Sequence, residues 1–202
     1  MPAKKITSNP YGIEDFRLPV TPTFSNDSEA WDAFRQGNES AFIFIYQTYF
    51  DVLYGYGFGI VSDSNLIKDS LQDLFVDLRE RRQYLGSTDS IKFYLFKCLK
   101  RRLYKEVSKW PAFKDSLDSI PADFQFILSY EAQLIDRQID ADKISQLNDA
   151  IVKLSRRQRE IIYYSFFEGF NYDQIQKIME LENHQSARNL MYKAIKELRK
   201  LL

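Results

Sequence analysis

Asn183, His184, Gln185, Ser186, Arg188 and Asn189 open the last amphipathic segment of the chain. Asn and Gln amides can pair bidentately with adenine, and the Arg fork with guanine, in the major groove. Lys193, Lys196 and Arg199 follow, at positions where contacts would go to phosphate rather than to bases. Arg156, Arg157 and Arg159 crowd the start of an earlier helix, where they could grip a phosphate backbone. This is the chemistry of recognition. Bond-making would need a convergent set of catalytic groups. The chain has one His and one Cys, and shows no Gly-rich phosphate loop and no metal-spaced cluster, so no catalytic residue, metal or cofactor is expected. Cys98 alone cannot form an intrachain disulfide. The carboxylates Asp69 and Asp73, with Gln72 between them, share one helical face, which suits a partner-binding or solvated surface better than acid–base work.

The elements that position these residues read as helices throughout. Apolar residues recur three or four apart, aromatics make up 15% of the chain, and only 7 Gly and 6 Pro interrupt it, which favours helical packing over a loop-rich fold. Asp27 or Ser28 is the expected cap of a first helix carrying Trp31 and Phe34, and Asn38 of a second with Phe42, Ile45, Tyr46, Tyr49 and Leu53 inward. Asp63 opens a third, with Ile67, Leu71, Leu74, Phe75 and Leu78 inward; Asp89 or Ser90 opens a fourth, with Ile91, Leu95, Cys98, Leu99 and Leu103 inward. A helix is expected to resume near Phe126 and run through Ile151. Ser155 with Gln158 forms a capping box for a helix ending at Gly169. Two further helices, Tyr172–Met179 and a C-terminal one, are joined by a tight turn. A basic second helix after such a turn is the helix-turn-helix pattern.

Net charge is +0, but it is unevenly spread. Residues 79–109 carry a net +7, residues 114–142 a net −5, and residues 184–200 a net +4, a layout that suits two anion-binding surfaces separated by a linker. The expected organisation is therefore all-α: a flexible arm over 1–28, a helical domain over 29–110, an acidic linker over 111–142 and a helix-turn-helix domain over 143–202. The first ten residues hold two lysines but no apolar run follows, so no secretory signal is expected, and no stretch approaches the roughly 18–20 apolar residues that span a bilayer. With a single cysteine, a cytoplasmic location without membrane insertion is expected.

Several segments resemble the extracytoplasmic-function sigma factors of RNA polymerase, in a form close to that of Bacteroidetes members. Leu154-Ser155, Gln158-Arg159-Glu160, Phe166 to Asp173 and Gln185 to Ile195 resemble their region 4. Gly37 to Phe42, then Asp69, Gln72, Asp73 and Phe75, then Tyr94-Leu95 with the basic run Lys100–Arg102, resemble the opening signature and region 2. The likeness covers roughly residues 30–109 and 145–202. It departs at Arg101, where many members carry Asn, and in the turn Met179–Asn183, which is one residue longer than usual. The resemblance implies binding to core RNA polymerase through Asp69, Gln72 and Asp73, and recognition of the promoter −35 element by Asn183, His184, Gln185, Ser186, Arg188, Asn189 and Lys193. It also implies contact with the −10 element and backbone through Lys92, Lys97, Lys100, Arg101, Lys105, Arg156 and Arg157, with a flipped base held near the loop 84–90. An anti-sigma partner is a further implication. The aromatics interleaved with the basic helix, Phe93, Tyr94, Phe96 and Tyr104, fit either stacking on unpaired bases or core packing. The alternative is a stand-alone helix-turn-helix regulator whose upstream domain senses a signal or dimerises; a basic upstream surface favours the sigma type, a ligand pocket or a self-complementary apolar face the regulator.

Overall fold

The computed structural model describes residues 24–109, 124, 126 and 141–202, so most of the arm, most of the linker and the expected helix over 127–140 lie outside the described residues. Among the described residues the fold is all-α, with eight α-helices and no strand. None is long and apolar enough to cross a membrane.

Helix α1 (Asp27–Arg35) is capped by Asn26, not by Asp27 or Ser28; the Asn26 side chain accepts the Glu29 N–H at 2.9 Å. Asp27 is freed for a longer-range task. Its carboxylate accepts from the Tyr49 hydroxyl at 2.9 Å and from the Ile91 N–H at 2.8 Å, tying α1 to α2 (Glu39–Ile60) and to the start of α4 (Ile91–Val107). The Trp31 indole N–H donates to the Gly86 carbonyl at 2.8 Å, which pins the loop before α4.

Asn38, Asp63 and Ser90 cap α2, α3 (Ser64–Glu80) and α4 as their types predict, each side-chain oxygen accepting first-turn N–H groups. The inward face of α2 differs from the expected one. Ile45, Tyr49, Leu53, Tyr56 and Ile60 are buried, whereas Tyr46 is 41% exposed. The glycines at the far end of α2 do not end it. A Cβ on Gly57 would stand 2.6 Å from Ile67 Cγ2, so the missing side chain lets α3 close against α2. A short 3-10 turn, Arg82–Tyr84, leads from α3 to the loop before α4.

In the C-terminal group, α5 (Ala141–Lys153) precedes α6 (Arg156–Ile162), whose Ser155–Gln158 capping box is present. A π-helical turn, Tyr163–Phe167, extends α6, and Gly169 at φ +69° ends it in the left-handed conformation. A second capping box, Asn171 with Gln174, starts α7 (Tyr172–Ile178), and α8 (His184–Leu201) closes the chain. Phe126 is not helical.

One hydrophobic core runs through both helical groups. Tyr56 and Phe96 from the first pack with Tyr164 and Phe170 from the second; the rings of Phe96 and Phe170 are 5.3 Å apart, and those of Tyr56 and Tyr164 5.9 Å. Phe124 fills the same cluster and is 1% exposed. Arg159 holds it there: its Nε donates to the Phe124 carbonyl at 2.8 Å and its Nη1 to the Val152 and Leu154 carbonyls at 2.6 and 2.8 Å.

Candidate nucleic-acid interface

The helix-turn-helix is built from α7 and α8. Met179 ends α7, and Glu180 takes φ 51°, a left-handed conformation at a non-glycine residue that reverses the chain in the longer turn. Leu181 returns to the core side, its N–H donating to the Gln176 carbonyl at 3.0 Å. Asn183 then caps α8, its Oδ1 accepting both the N–H and the hydroxyl of Ser186, at 2.8 and 3.1 Å. Asn183 and Ser186 thus fix the start of the helix. Ala187, Met191 and Ala194 are its buried face.

The outer face carries the exposed polar side chains. Gln185 and Asn189 are exposed one turn apart, the Gln185 amide donating to Asn189 Oδ1 at 3.0 Å, so their amides form one hydrogen-bonding edge. Arg188 is exposed, its guanidinium 5.7 Å from the centre of the Tyr172 ring. His184 lies at the helix start with Nε2 3.7 Å from Asp173 Oδ1. Lys193 is exposed further along, and Tyr192, which sequence reasoning passed over, is 67% exposed beside it.

The basic residues of α4 divide into two sets. Lys97, Arg101 and Lys105, spaced by four, are exposed along one stripe. Lys92 and Lys100 turn into the seam between the helical groups. Lys92 Nζ is 2.6 Å from Glu168 Oε2, and Lys100 Nζ donates to the Ile178 carbonyl at 3.0 Å and pairs with Glu160 at 3.5 Å. Burial pulls the Lys100 ammonium below the usual lysine range, and Glu160 only partly offsets that. Glu160 is itself buried and also receives Arg156 at 3.1 Å. Of the three arginines at the start of α6, Arg157 alone is exposed; Arg156 is half-buried and Arg159 is buried. Arg159, grouped with its neighbours as a backbone grip, is instead an internal clamp on carbonyls.

The interleaved aromatics are all engaged by neighbours. Phe96 is buried, the Phe93 and Phe170 rings are 5.5 Å apart, the Tyr94 and Trp31 rings 5.0 Å, and the Arg156 guanidinium is 5.4 Å from the Tyr104 ring. Tyr84 is 87% exposed at the loop 84–90. Beside that loop a cavity of about 470 Å³ lies between α3 and α4, lined by Leu85, Tyr94 and Cys98 with Arg81, Arg101 and Lys105 at its walls. Burial pushes the Tyr94 hydroxyl up to about 12, with Cys98 adding to the effect, and pushes the Cys98 thiol up despite the nearby cations.

On α3, Asp69, Gln72 and Asp73 are all exposed. Asp73 accepts from Arg102 at 3.2 Å, and Asp77 pairs with the same guanidinium. The adjoining face of α2 carries an aromatic ladder, Tyr46, Phe50, Tyr54 and Phe58, with successive rings 5.1, 6.2 and 5.0 Å apart. Tyr46 also meets Phe75 of α3 at 4.9 Å.

Residues 144–198 match the family model for sigma-70, region 4. The fold is similar to that of CnrH, solved in complex with the cytosolic domain of CnrY. The TM-score is 0.54 at 16% identity, over 87% of this chain and 96% of that one. It is also similar to the sigma factor RpoE of Bartonella quintana, solved with the anti-sigma factor NepR. There the TM-score is 0.53 at 19% identity, over 77% of this chain and 92% of that one. A comparison with curated protein sequences finds no match.

Proposed function

We propose that this protein is a transcription initiation factor of the sigma type, which binds core RNA polymerase in the cytoplasm, directs it to promoters, and catalyses no reaction itself. The observation that carries the reading is the match of residues 144–198 to sigma-70 region 4, on a helix-turn-helix whose second helix exposes Gln185, Arg188, Asn189 and Lys193. In this reading α8 enters the major groove at the −35 element. Gln185, Asn189 and Arg188 read base edges, with His184 at the margin; Asn183 and Ser186 set the helix start; and Lys193 meets phosphate. Arg157 and Arg156 add backbone contacts.

The −10 element falls to α4 and the loop before it. The exposed stripe Lys97, Arg101 and Lys105 follows the backbone, and Tyr84 with the cavity under Leu85 and Tyr94 receives an unstacked base. Lys92 and Lys100 join that surface only when the seam opens, because both are now held by Glu168, Glu160 and the Ile178 carbonyl. Promoter binding is thereby coupled to separation of the two helical groups. The polymerase docks on α2 and α3, with the aromatic ladder as the apolar centre and Asp69, Gln72 and Asp73 as the polar rim. RpoE of similar fold was solved with the anti-sigma factor NepR, which supports an anti-sigma partner for this chain.

Run-off transcription with core RNA polymerase on genomic fragments tests the reading. Discrete transcripts that need the protein are the expected result. Specific DNA binding without any association with core polymerase would instead establish a stand-alone regulator.

A further inference from the structure

A second cavity, of about 370 Å³, opens at the edge of the seam. Its size falls within the range of small-molecule sites, roughly 300–1,000 Å³. One wall is α4, which contributes Lys97, Lys100, Arg101 and Tyr104; the facing wall is α6 and α7, with Arg156, Arg157 and Lys177. Among the described residues the carboxylates lining it are Glu160 and Glu180, and the exposed Glu180 offsets one cation. Glu160 is committed to Lys100 and Arg156. Lys97, Arg101, Arg157 and Lys177 are exposed and make no ion pair among the described residues. Four cations therefore converge on one concave space from both sides of the seam. Like charges held together in this way repel, and an anion bound among them removes the repulsion. A monovalent anion would leave most of that charge unmatched, whereas a di- or triphosphate matches it. Tyr104 adds an aromatic wall.

We propose that this cleft binds a small ligand bearing a di- or triphosphate, which bridges α4 to α6 and α7 and holds the seam closed. The ligand requires both walls, so its binding favours the closed arrangement over an open one by mass action. The regulatory consequence rests on the sigma-type reading: a closed seam withholds Lys92 and Lys100 from promoter DNA, so the ligand acts as a brake. The binding itself does not depend on that reading.

Titration calorimetry on the full chain at physiological ionic strength, with inorganic tripolyphosphate and with ATP, tests the site directly and without polymerase. Saturable one-to-one binding of either probe is expected, with a thermal unfolding midpoint that rises with probe concentration. Binding of tripolyphosphate would place recognition in the phosphates, and binding of ATP alone would add the base to it; each supports the site. Lys97→Glu and Lys177→Glu, one on each wall and both exposed, should each weaken binding roughly tenfold, as expected for a lost charge contact in a partly desolvated site. Lys68→Glu on the exposed face of α3, outside the cleft, serves as the control and should change little. The proposal is overturned by absence of saturable binding, by equal weakening in the Lys68→Glu control, or by a random DNA duplex occupying the cleft in place of both small probes, with its binding lost in the two wall variants.

Discussion

The hydroxyls of Tyr56 and Tyr164 lie 2.6 Å apart in full burial, joining the far end of α2 to the turn that extends α6. The two residues are 108 positions apart in sequence. Each hydroxyl satisfies the other in a surrounding of Phe96, Phe124 and Phe170 rings. Removing one hydroxyl takes from the other its hydrogen-bond partner in full burial, at a cost of about 1–3 kcal/mol. Tyr56→Phe and Tyr164→Phe should therefore each destabilise the chain by that amount, while the double variant should return close to the parent. A double-mutant cycle by denaturant unfolding measures the coupling; additive losses would show that the hydroxyls do not depend on one another.

The same pair gives the seam an alkaline limit. Burial, first of all, raises both hydroxyls well above the ordinary tyrosine value of 10.0. An acid whose folded-state pKa is raised keeps its proton where the unfolded chain has lost it. Its contribution is thus complete below 10.0 and is lost as pH rises beyond it. Lys100 acts in the opposite sense, since its lowered value favours the folded state as pH climbs toward 10.5. Stability measured across this window, with tyrosinate absorbance alongside, should fall less steeply in the Tyr56→Phe/Tyr164→Phe variant. Tyr49 and Tyr163, also raised by burial, keep part of the decline. An unchanged slope would locate the alkaline sensitivity elsewhere.

Gly55 and Gly57 sit two residues apart in α2 and should respond oppositely to alanine. Open space surrounds a Cβ at Gly55, so Gly55→Ala removes a flexible residue from a helix interior and should stabilise by about 0.5–1 kcal/mol. At Gly57 the same methyl would press on Ile67 Cγ2, and overpacking of this kind costs about 1–3 kcal/mol. Thermal unfolding of the two single variants checks the sign of each change.

Arg159 shows where the sequence stops speaking. Its position after Arg156 and Arg157 fits an exposed basic patch, yet it is 4% exposed and donates to the Phe124, Val152 and Leu154 carbonyls. No local pattern encodes the contact with Phe124, since it depends on residues 35 apart meeting across the core. Lys92 and Lys100 were readable as basic residues on a helix but not as seam residues; their partners lie 76 and 60 positions away. Features set by neighbours along the chain were legible. Asn38, Asp63 and Ser155 cap where their types predict, and the inward stripe of α3 is as spaced. On α2 apolar residues on several sides blurred the stripe, so Tyr46 read as core although it stands on the exposed ladder.

Replacing Arg159 separates its role from a phosphate contact. Arg159→Leu leaves the Phe124, Val152 and Leu154 carbonyls without this donor, a loss of roughly 3 kcal/mol at about 1 kcal/mol for each bond. Arg159→Lys should recover little, because an ammonium on a flexible stem lacks the planar fork. Denaturant midpoints report this directly. A variant with parental stability and weakened DNA binding would restore Arg159 to the DNA surface.

Under the proposed function, Arg188 and Lys193 should separate base reading from backbone grip on α8. Arg188 stands one turn inside the helix start with its guanidinium near the Tyr172 ring; Lys193 lies further along the exposed face. Arg188→Ala should cost about 1–3 kcal/mol on the cognate −35 sequence and little on a scrambled one, which lowers the ratio between them. Lys193→Ala should weaken both sequences alike and reduce the slope of log affinity against log salt by about 0.9, one phosphate contact. Binding titrations of the polymerase complex over a salt series give both quantities. A uniform loss from Arg188→Ala with a reduced salt slope would move that residue to the backbone and leave Gln185 and Asn189 as the readers.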